Sequence, residues 1–194
     1  MPKFADSAGT ASPVLAGEAG YTLVELLVAV ALIAVAAGWG IPAFSAWTAS
    51  ARVTSAANEM LGAILFTRSE AMKRRHRVVL CKSADGEWCA TTGDWRQGWM
   101  IFDDPDGNGL RSAAEELLHR RQGLGTSVRL KGNGSVAGYV SYAPDGATRL
   151  VGGGFQAGTL TVCDSSQDAS IGRQIVINAN GRPRIQSVAI ESCL

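Results

Sequence analysis

The chain has 194 residues, of which 46% are hydrophobic, 18 are basic and 17 are acidic, and its formal net charge is +1. This length accommodates one domain of ordinary size with an appendage, and it excludes two full domains joined by a linker. A net charge near zero excludes a polybasic nucleic-acid-binding protein, so any DNA contact must come from a local patch. The apolar content excludes wholesale disorder.

A long apolar segment lies near the N-terminus. From Leu26 to Ala51 the sequence has no charged residue, and its first half is apolar on every helical face. A helix of this kind crosses a bilayer or lies inside a large protein, and Leu23 to Phe44 supplies the about 20 residues that a membrane span needs. The sequence therefore predicts a transmembrane helix over about 23–44.

A cleavable secretory signal is the alternative explanation of this segment. Such a signal places a small-residue cleavage site after its apolar stretch, and Ala34 to Ala36 would serve. Here the small residues of 17–20 precede the apolar stretch, so cleavage after Gly20 would leave the helix on the mature chain. The order of the segments favours a retained membrane anchor.

One carboxylate, that of Glu25, stands at the start of the apolar helix. An ionisable group at the membrane is costly unless it finds a partner, and it is therefore a candidate functional group. If the chain is cut after Gly20, the new α-amine of Tyr21 lies one helical turn away, and it would be that partner on the same or a neighbouring helix. The alternative is a Glu25 side chain that is solvated at headgroup level.

Residues 20–28, Gly-Tyr-Thr-Leu-Val-Glu-Leu-Leu-Val, closely resemble the processing site of type IV pilins and of type II secretion pseudopilins. The resemblance implies that residues 1–20 are a cytoplasmic leader and that a prepilin peptidase cuts between Gly20 and Tyr21 and methylates the new N-terminus. It also implies that Glu25 acts in assembly and that Pro42 kinks the helix. The leader departs from the usual pattern, because it is long and Lys3 is its only basic residue.

A helical stripe continues beyond the membrane segment. Apolar or small residues recur there at spacings of three and four, at Val53, Ala57, Met60, Ile64, Thr67 and Ala71. We therefore expect one long helix over about 21–75, kinked near 38–42, whose second half packs on a sheet. The basic run 73–77 suits the C-terminal end of that helix, where cations complement the helix dipole.

Short strand patterns separated by glycine-containing turns fill the remainder of the chain. The predicted strands are 77–81, 98–102, 117–120, 128–130, 139–142, 159–163, 173–178 and 184–188. The predicted fold class is therefore α+β: a pilin-like chain in which a long N-terminal helix, transmembrane in its first half, packs on a C-terminal antiparallel β-rich domain over 76–194.

Four cysteines form two sets that are local in sequence, Cys81 with Cys89 and Cys163 with Cys193. Four cysteines allow three disulfide pairings, and the sequence does not choose among them. A zinc site is the rival interpretation, but no Cys-x-x-Cys spacing occurs and the two histidines are poorly placed. Disulfides indicate an oxidising compartment, which for a bacterium is the periplasm or the cell surface.

Four later segments resemble, in this order, the GspH/FimT family of minor pilins and pseudopilins: 67–74, 78–81, 95–104 and 181–184. GspH-like members belong to the type II secretion pseudopilus and FimT-like members to type IV pili, and some of the latter bind DNA during natural transformation. The resemblance implies a single-pass protein of the bacterial inner membrane with a periplasmic C-terminal domain and other pilins as partners.

The segment Gly181-Arg182-Pro183-Arg184 is the candidate DNA-binding site. Asn180-Gly181 predicts a hairpin turn, and in an extended chain Arg182 and Arg184 lie on one side, about 6–7 Å apart. Pro183 stiffens this tip, and two guanidinium groups suit successive phosphates. The alternative is a solvated turn whose charges protect a sheet edge. Further candidates for DNA contact are Arg173, Lys73, Arg74 and Arg75.

The segment from Asp104 to Glu115 fits the calcium-loop pattern D-x-[DN]-x-[DN]-G-x5-E, with Asp106 and Asn108 between its ends. A strand rather than a helix is expected before it, and the same residue types favour tight turns. The sequence therefore favours a turn without a metal, with a calcium-dependent surface module as the less favoured alternative. No cofactor is expected.

No nucleophile elbow, phosphate loop or catalytic constellation indicates an enzyme. The resulting hypothesis is a FimT-like minor pilin that supports type IV pilus assembly and binds DNA without sequence preference for uptake. The alternative is a GspH-like pseudopilin of type II secretion, a structural tip component without a DNA role.

Overall fold

The structure, a computed structural model, describes residues 20–165 and 170–193. The predicted leader, residues 1–20, lies outside this range except for Gly20. The chain divides into two compact units, Met1–Ala43 and Phe44–Leu194, which are described separately. One helix, α1, runs from Leu23 to Arg74 and contributes residues to both units.

The N-terminal unit is the apolar part of α1. The most apolar window of the helix has a mean hydropathy of 2.3, and none of that window is buried. By length and composition the helix is sufficient to cross a membrane, as the sequence predicts. Residues 41–43 are helical like their neighbours, so Pro42 does not end the helix, and the kink near 38–42 stays a prediction.

The C-terminal unit holds the rest of α1 and eight strands. The helix ends at Arg74 because Arg75 adopts a left-handed conformation, with φ of 63°. The strands are β1 Arg77–Lys82, β2 Gly98–Asp104, β3 Leu117–Gln122, β4 Val128–Gly132, β5 Tyr139–Tyr142, β6 Gly158–Asp164, β7 Ser170–Ile177 and β8 Pro183–Ile190. Each corresponds to a predicted strand, although two short 3-10 helices, Trp95–Gln97 and Gly134–Val136, were not predicted.

The strands form two four-stranded antiparallel sheets, with orders β3-β2-β1-β5 and β4-β6-β7-β8. In the first sheet, Leu80 of β1 lies opposite Ile101 and Val140. In the second, Ile175 of β7 lies opposite Leu160 and Ile185. The antiparallel α+β class predicted from the sequence is therefore confirmed.

The second half of α1 and both sheets share one apolar core. All six residues of the predicted helical stripe are buried, and Met60, Ile64 and Ala71 are wholly inaccessible to solvent. The first sheet also has a smaller cluster on its other face, formed by Val79, Cys81, Met100 and Phe102. Strands β1 and β2 are thus covered on both faces, which explains why their sequences are continuously apolar.

Candidate functional site

The predicted processing site lies at the start of α1. Gly20 and Tyr21 are exposed and precede the first helical residue, Leu23. The Glu25 N–H donates to the Thr22 hydroxyl at 3.3 Å, and the Thr22 N–H donates to a Glu25 carboxylate oxygen at 3.4 Å. This reciprocal pair is a capping box, which satisfies two N–H groups that the helix leaves free. Glu25 therefore also caps the N-terminus of α1. This role was not predicted, although Thr-x-x-Glu is the sequence pattern of a capping box.

The predicted DNA-binding segment lies at one end of the second sheet, in the turn between β7 and β8. The Gly181 N–H donates to the Asn178 carbonyl at 2.9 Å, and the Arg182 N–H donates to the Asn178 side-chain oxygen at 3.0 Å. Gly181 has φ of 73°, and a Cβ atom there would lie 2.2 Å from the Gly146 carbonyl oxygen. Only glycine fits this turn, because both its conformation and its surroundings exclude a side chain.

A buried tyrosine supports the same turn from the first sheet. The Tyr142 hydroxyl donates to the Gly181 carbonyl at 3.0 Å, and the Tyr142 side chain is wholly buried. Burial raises the pKa of this hydroxyl, so it stays a neutral donor at physiological pH. The role of Tyr142 is not predictable from the sequence, because nothing in the local pattern connects β5 with a turn that comes about 40 residues later.

The two arginines of the tip are available for binding. Arg182 and Arg184 are both exposed, and neither forms an ion pair with any residue of 20–165 or 170–193. Pro183 begins β8 opposite Ile177 on an edge strand, where a residue without an N–H is tolerated. The hairpin predicted from Asn180-Gly181 is thus present.

The strand register defines an outer face of the second sheet, the face turned away from the core. Arg184 lies opposite Val176, and Lys131 lies opposite Thr161, which in turn lies opposite Gln174. Because side chains alternate along a strand and cross-strand partners share a face, these residues belong to one surface. The outer face includes Arg129, Lys131, Thr159, Thr161, Cys163, Gly172, Gln174, Val176, Arg184, Gln186, Val188 and Ile190.

This outer face is polar and positively charged. Gln174 donates to Thr161 at 3.5 Å and accepts from Gln186 at 3.1 Å, which forms a row of polar side chains across three strands. Arg129 and Lys131 are exposed and alternate along β4 with the buried Val128 and Leu130. None of the residues named on this face is acidic. Arg129 and Lys131 are not among the residues predicted to bind DNA, since only the sheet register brings them to the face of Arg184.

Arg173, a further predicted contact, lies on the opposite face from Arg184. It is two residues from Ile175, whose side chain is buried in the core, and it faces Ser187, with which its guanidinium is hydrogen-bonded. The alternation of side chains along β7 therefore separates Arg173 from the tip arginines. The prediction that Arg173 joins them is not supported by this placement.

The basic run at the end of α1 has its own partners. The Arg74 guanidinium contacts Glu70 at 2.8 Å, Asp103 at 3.2 Å and Glu116 at 2.7 Å. Lys73 also pairs with Glu70, while the Arg75 side chain is exposed. Hydrogen bonds from Arg74 lower the pKa of Glu70 and of Glu116. This arrangement fits the alternative interpretation, a capped helix end joined to β2 and β3.

The predicted calcium-loop residues converge in the connection between β2 and β3. Oxygen atoms of Asp104, Asp106 and Glu115 all lie within 4.8 Å of one another. The Asn108 N–H donates to Asp104 and to Asp106, both at 3.1 Å. Burial, together with the neighbouring Asp106 carboxyl, raises the pKa of Asp104 to about 6.

The cysteines form two disulfides, Cys81–Cys89 and Cys163–Cys193. These are the two sets that are local in sequence, and the pairing removes all four thiols as zinc ligands. His76 instead contacts Asp103 at 2.7 Å.

A membrane-sized apolar helix, a prepilin-like start, a buried helical stripe and two antiparallel sheets define a pilin-like protein. The family model described as Type II transport protein GspH matches residues 56–181, well over half of the chain, so the protein belongs to this family. A second model, described as Prokaryotic N-terminal methylation motif, matches residues 15–41. The predicted family and the minor pilin or pseudopilin class are confirmed, and the role of such proteins is structural rather than enzymatic.

Two crystal structures of a type IV minor pilin share this fold. The type IV minor pilin FimU of Pseudomonas aeruginosa (strain PAO1), in space group P21, has a TM-score of 0.54 and 21% identity, and the match covers 76% of this chain and 99% of that one. A second FimU crystal form, in space group P65, has a TM-score of 0.53 and 22% identity, and the match covers 73% of this chain and 99% of that one. The minor pseudopilin EpsH from the Type 2 Secretion System of Vibrio cholerae has a TM-score of 0.49 and 12% identity, and the match covers 70% of this chain and 97% of that one. No curated protein sequence matches the chain significantly.

Proposed function

We propose that this protein is a FimT-like minor pilin that helps assemble a type IV pilus and binds DNA without sequence preference. The observation that carries the DNA role is the pair Arg182 and Arg184, exposed, free of ion pairs within the described part of the chain, and held on a hairpin tip. Guanidinium groups on a rigid tip contact phosphates without reading bases, which suits capture of any sequence.

The outer face extends this binding surface across the second sheet. The register places Lys131 on β4 in line with Gln186 on β8, and Arg184 lies two residues further along that strand. With neighbouring strands about 4.8 Å apart and a rise of about 3.3 Å per residue, Lys131 is therefore about 16 Å from Arg184. Arg129, Lys131, Arg182 and Arg184 offer about four phosphate contacts, and none of the residues named on the outer face is acidic. For that number, log K should fall with log salt with a slope of about −2 to −4, and affinity should be in the non-specific range of about 10⁻⁴–10⁻⁶ M.

Processing and topology belong to the same proposal. The methylation motif over 15–41 supports cleavage between Gly20 and Tyr21 by a prepilin peptidase, with methylation of the Tyr21 amine. The two disulfides support a periplasmic location of the C-terminal domain, because disulfides persist in that compartment. Mass spectrometry of the membrane-extracted protein should find Tyr21 as its first residue, and a mature start at Met1 or after Ala36 would contradict this part.

The DNA role is tested by titrating fluorescent duplex DNA with the full chain in nonionic detergent at 50 mM salt. We expect Arg182→Gln combined with Arg184→Gln to remove most of the binding and to reduce the salt slope by about 2. Arg121→Gln with Arg96→Gln removes the same charge from arginines that are paired with Glu59 and Asp94, outside the tip and the outer face, and it should leave binding intact. Absence of binding by the native chain, or equal binding by the double variant, would refute the DNA role.

A pseudopilin of type II secretion is the second candidate, and membership of the Type II transport protein GspH family favours it. It predicts no DNA binding at any salt concentration and a defect in protein secretion when the gene is removed. Deletion of the gene, followed by assays of secreted enzymes and of DNA uptake in the same strain, separates the two functions.

A further inference from the structure

The connection between β2 and β3 brings together the two ends of the calcium-loop pattern. Asp104 is the last residue of β2, and Glu115 stands two residues before β3. The strands are antiparallel neighbours, and the Asp103 N–H donates to the Glu116 carbonyl at 3.0 Å. The hairpin therefore holds the first and last positions of the pattern side by side. The ends of the calcium-loop pattern are therefore brought together by the two strands, in place of the helices that usually flank such a loop.

The carboxylates at these positions are concentrated and poorly compensated. Asp104 is wholly buried and Glu115 is 8% exposed, whereas Asp106 is exposed. Two guanidinium groups lie near the cluster: the Arg77 Nε is 3.8 Å from an Asp104 oxygen, and Arg111 donates to the Glu115 backbone carbonyl at 3.4 Å. Among the described residues only Arg77 forms an ion pair with these carboxylates, so three carboxylates against two cations still leave an excess of negative charge next to buried groups. Such an excess is unfavourable without a further positive partner.

Glu115 supplies the observation that points to a ligand. Its Oε2 accepts a hydrogen bond from the Ser112 N–H at 2.6 Å, but its Oε1 is buried and has no hydrogen-bond partner. A buried carboxylate oxygen without a donor is costly. Since Glu115 contributes an oxygen to the same 4.8 Å cluster as Asp104 and Asp106, a cation placed among them would satisfy this oxygen.

We propose that the loop from Asp104 to Glu115 binds one Ca²⁺. The carboxylates of Asp104, Asp106 and Glu115 are ligands, and the pattern adds the Asn108 side chain and the Leu110 carbonyl. Gly109, at the position where the pattern requires a sharp turn, has φ of 73°. Calcium fits better than magnesium, because a flexible set of about six protein oxygens suits Ca²⁺ whereas Mg²⁺ retains most of its water.

Calcium binding is measured by thermal unfolding of the full chain in detergent at pH 7.5, after treatment with EDTA. Calcium should raise the melting temperature by mass action on the folded state. Half of the effect should occur at about 10⁻⁴–10⁻³ M, the range of extracellular calcium modules. Magnesium at the same concentrations should give a smaller shift, and calorimetry should give one ion per chain. A melting temperature that does not respond to 10 mM calcium would overturn the proposal.

Two variants separate a ligand role from a structural one. Glu115→Gln keeps an acceptor for the Ser112 N–H and removes one charge from the cluster, so in EDTA it should be at least as stable as the native chain. It should lose the calcium-induced shift, while the control Glu87→Gln, an exposed acid outside the cluster, should retain the shift. Asp106→Asn, at an exposed position, should also lose the calcium-induced shift in melting temperature. It provides the test if Glu115→Gln does not fold. A native calcium response in either loop variant would overturn the proposal.

Discussion

The hydroxyl of Tyr142, in the first sheet, donates a hydrogen bond to the carbonyl of Gly181, in the β7–β8 turn of the second sheet, at 3.0 Å. Tyr142 is the last residue of β5, and Gly181 lies in the turn that carries Arg182 and Arg184. Because both residues are buried, this hydrogen bond ties the tip to the core and restricts how the two arginines are presented.

Tyr142→Phe should test this link. The substitution leaves the buried Gly181 carbonyl without its partner, which should lower the free energy of unfolding by about 1–3 kcal/mol. DNA affinity should fall less than in the double arginine variant, since both charges remain. Urea unfolding and DNA titration measure the two effects. Tyr139→Phe, which removes the hydroxyl that accepts from the Val151 N–H, is the matched control and should leave DNA binding unchanged.

Arg74→Met should make the protein less stable at neutral pH and less sensitive to acid. Arg74 lowers the pKa of Glu70 and Glu116 in the folded state. A lowered folded pKa stabilises the protein above the unfolded value of about 4.3, and this stabilisation is lost as the pH falls below it. At pH 7 the variant should therefore have a lower free energy of unfolding than the native chain, because these charge-assisted hydrogen bonds are lost.

The difference between Arg74→Met and the native chain should therefore shrink between pH 6 and pH 3. Thermal unfolding across this range measures it. Arg75→Met is the control, because Arg75 is exposed and forms no ion pair with the described residues. An equal loss of stability in both variants would show that the ion pairs of Arg74 contribute nothing.

The elements of this fold were predictable because the patterns that specify them are local. The helical stripe from Val53 to Ala71 and the apolar runs of β1 and β2 are set by burial, and burial determines which residue types the sequence can use. What the sequence did not predict is the pairing of distant segments. The order of the sheets depends on contacts that no short window contains, and so does the proximity of Tyr142 to Gly181.

The candidate sites divide in the same way. Arg182 and Arg184 are found from a turn signal between two strands, whereas Arg129 and Lys131 join them only through the register β4-β6-β7-β8. The capping box of Glu25 is a local signal that the sequence analysis overlooked. The calcium-loop pattern is a local signal, and the sequence favours a turn without a metal because no helix precedes the pattern. The hairpin of β2 and β3, which also brings the two ends of the pattern together, depends on strand pairing that a local pattern does not contain.

Glu25→Gln should separate the cap of α1 from the charge of Glu25. A glutamine at this position completes the capping box as a glutamate does, but it cannot form an ion pair with the Tyr21 amine. If the charge serves assembly, both Glu25→Gln and Glu25→Ala should insert into the membrane and fail to enter filaments. Thr22→Ala, which removes the cap and keeps the charge, is the control and should be incorporated. Immunoblots of membranes and sheared filaments measure this, and normal incorporation of Glu25→Gln would contradict the assembly role.

Lys131→Gln combined with Arg129→Gln should weaken DNA binding without affecting the hairpin tip. Both side chains are exposed on β4, on the face that carries Arg184 on β8, so they should contact phosphates only if DNA lies across the sheet. Loss of two phosphate contacts should reduce the slope of log K against log salt by about 2, uniformly for duplexes of different sequence. Arg173→Gln is the control on the opposite face and should leave the slope unchanged. If the β4 variant keeps the native slope while the variant lacking Arg182 and Arg184 loses binding, DNA contacts the tip alone and the outer face has no part in it.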